Sequence, residues 1–208
     1  MSDRPLEGFP LFPLGIVALP TESVPLHIFE DRYRTMIERC LEDEQEFGIV
    51  WLSEDELKPI GCACTIDKVI ERLEDGAMNI LARGTRPFRL LERQEHLPYP
   101  AGVVEFFDEH DPDTDPDVAR TTRELYAELV EQATDKTLSA EELQQLDAYR
   151  MAATVEFGAD AKQELLELRS ETARLHLLTM LFRAALKRME LVERAQTRAR
   201  SNGKVRFG

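Results

Sequence analysis

Cysteine is scarce in this sequence: Cys40, Cys62 and Cys64 are the only three among 208 residues. An odd, sparse set of thiols cannot build a disulfide framework, which points to a reducing, cytoplasmic setting. The opening Met1-Ser2-Asp3-Arg4-Pro5 also lacks the basic and then apolar pattern of a secretory signal. Long apolar runs are missing too. The longest uncharged stretch of the C-terminal half, from Leu175 to Phe182, ends at Arg183, far short of the roughly 20 apolar residues that a bilayer requires, so no membrane association is expected. Basic charge is in short supply: 26 Lys and Arg stand against 40 Asp and Glu, a net charge of −14. Phosphate contacts depend on a surplus of Lys and Arg, so nucleic acid is a disfavoured partner.

What remains is a globular composition, 43% hydrophobic and 32% charged, long enough to bury about 70% of the unfolded surface. The charge is unevenly placed. Residues 1–112 hold 11 basic and 23 acidic side chains, residues 113–208 hold 15 and 17, and residues 183–208 hold 8 and 2. The stretch Asp108 to Asp117, acidic and interrupted by Pro112 and Pro116, reads as a linker, dividing a domain over 1–112 from one over 113–208. In the first, Ile60–Leu73, the turn Glu74-Asp75-Gly76 and Ala77–Ala82 predict a hairpin. Further short strands are expected at Glu46–Leu52, Phe88–Arg93 and Ala101–Phe107, with gaps at Gly84 and at Pro98 and Pro100, forming a closed or sandwiched sheet. Prolines 10, 13, 20 and 25 predict short edge strands joined by kinks. One helix interrupts the sheet at Glu30–Leu41, where Tyr33, Met36, Ile37, Cys40 and Leu41 recur at helical spacing.

The second half is helical. Asp117–Ala133 carries Val118, Leu125, Leu129 and Ala133 in rough register, and Ser139-Ala140-Glu141-Glu142 is a capping box. Its helix is expected to run through Leu143, Leu146, Tyr149, Ala153 and Phe157 to a stop at Gly158, with Asp160 capping a further short helix. Leu175, Leu178, Phe182, Ala185, Met189 and Val192 then mark one face of a long last helix.

Motifs of catalysis are missing. The only Gly-Lys, Gly203-Lys204, is followed by Val205 and makes no phosphate loop; Gly-x-Ser-x-Gly and His-Glu-x-x-His do not occur. Ser139 and Ser170 sit where helix caps explain them. His27, His96, His110 and His176 are scattered and never paired at metal-ligand spacing, so no metal or cofactor is expected. Cys62 and Cys64 alternate on a strand and so share a face, but with no second pair they read as small apolar fillers. The basic tail from Arg183 to Arg206 reads as a solvated helix end rather than an anion-binding surface. At the strand-to-helix junction, the charged pair Glu30 and Arg32 beside Phe29 and Tyr33 either fixes the junction or lines a recognition groove.

Several blocks resemble a known family. Phe12-Pro13-Leu14, Leu19-Pro20, Pro25-Leu26, Ile28-Phe29-Glu30-Asp31-Arg32-Tyr33, Ile60-Gly61-Cys62-Ala63, Ile80 to Phe88, Lys162 to Glu167 and Ala173-Arg174-Leu175 are similar, in order and spacing, to the N-terminal substrate-recognition domain of Lon proteases. That domain also occurs in cereblon and as a stand-alone bacterial protein. The resemblance implies an α+β fold: an N-terminal PUA-like β pseudo-barrel with one inserted helix, then a C-terminal α-helical bundle ending in a long helix. It also implies a non-catalytic protein- or peptide-binding module linked to protein degradation, with unfolded polypeptide or a protein partner as its ligand. The ATPase and Ser-Lys protease parts of Lon lie further along that chain, and this sequence stops before either, so hydrolysis by Lon's mechanism is not expected. Phe29, Glu30, Arg32 and Tyr33 are the candidate contacts, Phe29 and Tyr33 for apolar area and the other two for orientation. A PUA-like RNA-binding role and a small-molecule site in the barrel or its groove with the helices are the alternatives.

Overall fold

The computed structural model describes residues 4–54, 56–107 and 114–202, with side chains to 195. Residues 108–113 of the expected linker lie outside the described residues, as do Gly203-Lys204 and His110. Two compact units form, and they are interleaved along the chain: Met1–His110 with Tyr149–Arg169, and Asp111–Ala148 with Ser170–Gly208.

The first unit holds β1 (Leu6–Leu14), β2 (Ser23–Ile28), α1 (Asp31–Glu42), β3 (Phe47–Ser53), β4 (Glu56–Arg72), β5 (Met78–Gln94) and β6 (Ala101–Phe106). Strand order is β2-β5-β4-β3-β1-β6, and a further pairing of β5 with β6 closes five of the strands into a ring, leaving β2 attached to β5. Closure is possible because β4 and β5 are both 17 residues long and their pairing shifts register three times, bending the ladder. The expected α+β pseudo-barrel with one inserted helix is thus present. Phe9, Leu11, Val50, Ala63, Phe88 and Val104 fill it, and Phe9 meets Phe88 edge to face at 5.4 Å. Gly76, at φ +83°, makes the expected β4–β5 turn, where Asp75 accepts from the Ala77 N–H.

Two expectations about this unit are corrected. Gly84 does not end a strand; β5 runs through it. The glycine is needed because the 19–22 loop lies across it, with Thr21 N–H donating to Gly84 O and Gly84 N–H to Glu22 O. A Cβ at that position would sit 2.0 Å from Leu19 O. Nor is β1 a sheet edge: it pairs with β6 through Leu6, Phe9 and Pro10 and with β3, in parallel, through Leu11–Leu14. Each half is paired on one side, and a proline costs no ladder hydrogen bond where its nitrogen faces the other.

The second unit contains α2 (Pro116–Thr134), α3 (Ala140–Gln144) and α6 (Glu171–Asn202). Asp115 caps α2 by accepting from the Asp117 and Val118 N–H groups, and the Ser139 capping box forms as expected. The buried face of α2 is Ala119, Thr122, Tyr126 and Leu129, so of the expected Val118, Leu125, Leu129 and Ala133 only Leu129 lies on it. Counting only apolar residues hid it, because Thr122 and Tyr126 carry the face: Thr122 Oγ1 bonds Thr179 Oγ1 at 2.8 Å, and Tyr126 packs on Phe182 at 5.7 Å. On α6, Leu175, Leu178 and Phe182 are buried, but Val192 is half-exposed.

Between these segments, the single helix expected from Ser139 to Gly158 is two, α3 and α4 (Ala148–Ala152). Gly158 is then the N-cap of α5 (Ala159–Glu167) rather than a helix stop, and Asp160 falls in its first turn. The break places Tyr149–Arg169 with the strands. There α5 is held on the barrel by Gln163 Nε2 donating to Ile60 O at 3.1 Å, a Lys162–Glu22 ion pair, and buried Leu165 and Leu166.

Candidate functional site

A groove of about 580 Å³ opens in the first unit. Its walls come from the end of β1 (Leu11–Leu14), the start of α1, Leu52 and Leu57 from β3 and β4, and the β5–β6 connection from Arg93 to Ala101. Proline placement shapes that connection: His96–Tyr99 bend between the strands, Pro98 and Pro100 offer no N–H to a ladder, and the Leu11 N–H donates to Pro100 O at 2.8 Å.

Glu30, Arg32 and Tyr33 meet in this groove. Chain direction explains it, because β2 ends at Ile28 and Glu30 is the N-cap of α1, so the turn aims the first helical residues at the end of β1. Tyr33 is 6% exposed and its ring packs on Phe12 at 4.2 Å between centroids. The Arg32 guanidinium lies 4.6 Å from the same ring and donates through Nε and Nη2 to Glu30 Oε2, at 3.0 and 2.8 Å. Burial raises the Tyr33 phenol's pKa, Arg32 opposes the rise and Glu30 adds to it. Its hydroxyl is therefore a donor at neutral pH.

Phe29 does not line the groove. It is 62% exposed and stacks on His27 at 5.6 Å, whose Nδ1 is 2.8 Å from Asn79 Oδ1. The remaining lining groups, among them Leu52, Arg93, Leu97 and Tyr99, escaped the sequence reading. Their only local signal was the proline pair at 98 and 100; what makes them neighbours of α1 is barrel closure.

Other chemistry-bearing residues lie apart from the groove. All three cysteines are free and buried. Cys62 Sγ is 3.3 Å from Ala63 O and Cys64 Sγ 3.6 Å from Cys62 O. Burial first, and the neighbouring Cys64 second, pushes the Cys62 thiol well up. Burial likewise pushes the Cys40 thiol up to about 11. Among the described residues no three His, Cys, Asp or Glu cluster as a metal site, and no helix is long and apolar enough to cross a membrane.

Comparison with known proteins adds a family. Residues 8–183 match the family described as the ATP-dependent protease La (LON) substrate-binding domain. Two solved structures share the fold. The Lon N-terminal domain protein from Xanthomonas campestris is 23% identical with a TM-score of 0.64, over 83% of this chain and 97% of that one. The N-terminal domain of the Mycobacterium avium complex Lon protease is 22% identical with a TM-score of 0.63, over 85% and 98%.

Proposed function

The chain belongs to the family of the ATP-dependent protease La (LON) substrate-binding domain, and from that membership we propose that it is a non-catalytic module that holds exposed segments of other polypeptides. The observation that supports this most directly is the groove, whose lining sets apolar side chains beside polar and charged ones in nearly equal share. That mixture suits an extended chain, which needs pockets for apolar side chains and partners for its polar atoms. Leu52 is 42% exposed there, an apolar cost that an occupant would relieve. Tyr33 and Leu52 supply apolar contact, Glu30 and Arg32 orient the segment, and Phe29 extends the apolar surface just outside. The three free thiols support action in a reducing compartment, and the family supports a place in protein degradation.

Fluorescence anisotropy with a labelled, permanently unfolded polypeptide tests the reading. Saturable binding is expected. Leu52→Asp combined with Leu97→Asp should weaken it about tenfold or more with the circular dichroism spectrum unchanged, and Phe29→Ala should weaken it less. Absence of saturable binding, or binding indifferent to the two Leu→Asp changes, overturns it.

A further inference from the structure

The groove's polar groups are mostly donors, and most of them are unused. Arg93 makes no ion pair among the described residues, and the Tyr33 and Tyr99 hydroxyls have no hydrogen-bond partner there. Although both tyrosines are buried as residues, neither oxygen is a buried unpaired atom, so both reach solvent and can be met by a ligand. Besides the Tyr33 ring beneath it, Arg32 has one hydrogen-bonding partner, Glu30, through a single carboxylate oxygen, and both side chains of that pair are about half-exposed. Exposed ion pairs of this kind exchange readily. The other acid of the lining, Glu95, has no cation partner among the described residues either, which leaves two acids against two guanidinium and two phenol donors.

An occupant that covers the groove removes water from these donors. A segment with only apolar side chains offers them its backbone carbonyls and no charge, and a buried donor left short of acceptors is costly, most of all a charged one. A carboxylate supplies the missing acceptors with complementary charge. Glu30 already shows that a side-chain carboxylate reaches Arg32 in this groove. We infer that the segment bound here carries an Asp or Glu side chain among its apolar residues, held by Arg93 and by Arg32 as Arg32 exchanges Glu30 for the incoming carboxylate. This deepens the polypeptide-binding reading above and rests on it.

The test uses the full chain and short labelled peptides, acetylated and amidated, of Leu and Phe spaced by Ser with one central Glu, Gln or Lys. The Glu peptide should bind about tenfold tighter than the Gln peptide, an advantage that Arg93→Gln largely removes and high salt weakens. Glu30→Gln, which frees Arg32, should tighten the Glu peptide and leave the Gln peptide unchanged. Equal binding of Glu and Gln peptides, or tighter binding of the Lys peptide, overturns the carboxylate inference and leaves polypeptide binding standing. A peptide with a free C-terminus that binds tightly whatever its central residue overturns it in favour of a terminal carboxylate. If none of the peptides binds, both readings fall.

Discussion

Single side chains set several measurable properties. Gly84 is where the 19–22 loop crosses β5 with no room for a Cβ, so Gly84→Ala should cost about 1–3 kcal/mol or more through forced backbone movement, read as a lower urea midpoint. The three thiols are buried and the Cys40 thiol is pushed up to about 11. The thiolate is the reactive form, so iodoacetamide at pH 8 should label none of them until the protein is unfolded; fast labelling of the native chain would contradict the buried placement. The same shift has a sign for stability. A thiol with its pKa raised in the folded state contributes fully below the unfolded value, near 9, and the contribution is lost as pH rises towards 11. Cys40→Ala should therefore flatten the fall in stability between about pH 9 and 11, with Cys62 and Tyr33, shifted in the same direction, keeping part of the slope. Local reading served the site in part: Glu30, Arg32 and Tyr33 stand at a helix start visible in sequence. Arg93 and Tyr99 do not, because nothing within a few residues of either indicates which element it will face.

At the scale of elements, caps and periodicity carried the reading where one signal dominated. Helix α1 shows its stripe because its buried positions, Tyr33, Met36, Ile37 and Cys40, carry no strongly polar side chain. Helix α2 misled because Thr122 lies on its inner face and is satisfied by Val118 O, Leu175 O and Thr179 Oγ1, a pairing that hydropathy does not contain. The capping box at Ser139 was legible, but the length of its helix was not; beyond Gln144, Leu146 O accepts from Arg123 Nε and the Ala148 N–H donates to Glu171 Oε1. The Asp115 cap yields a direct measurement. Asp115→Ala removes acceptors for two N–H groups and should lower the urea midpoint seen at 222 nm by an amount equivalent to about 1 kcal/mol. Asp115→Ser should recover most of it.

For the whole molecule, the interleaving of the two units matters most. Helix α5 is far along the chain, yet Leu165 and Leu166 are buried within the barrel unit. Leu165→Ala should cost that unit about 2–5 kcal/mol. The single tryptophan, Trp51, lies on β3 of the same unit, so its fluorescence should report the loss; an unchanged tryptophan transition would show that α5 does not support the barrel. The composition of the chain, its hairpin turn, the helix starts at α1 and α2 and the order of family blocks were all set by local signals: turn chemistry, caps and the alternation or helical spacing of apolar residues. Closure of the ring through β5 and β6, the return of α5 to β4, and the meeting of the α1 start with the β5–β6 connection were decided only in three dimensions. The reason is that pairing across the chain depends on which surfaces can be buried together, and that free energy belongs to no window of neighbouring residues.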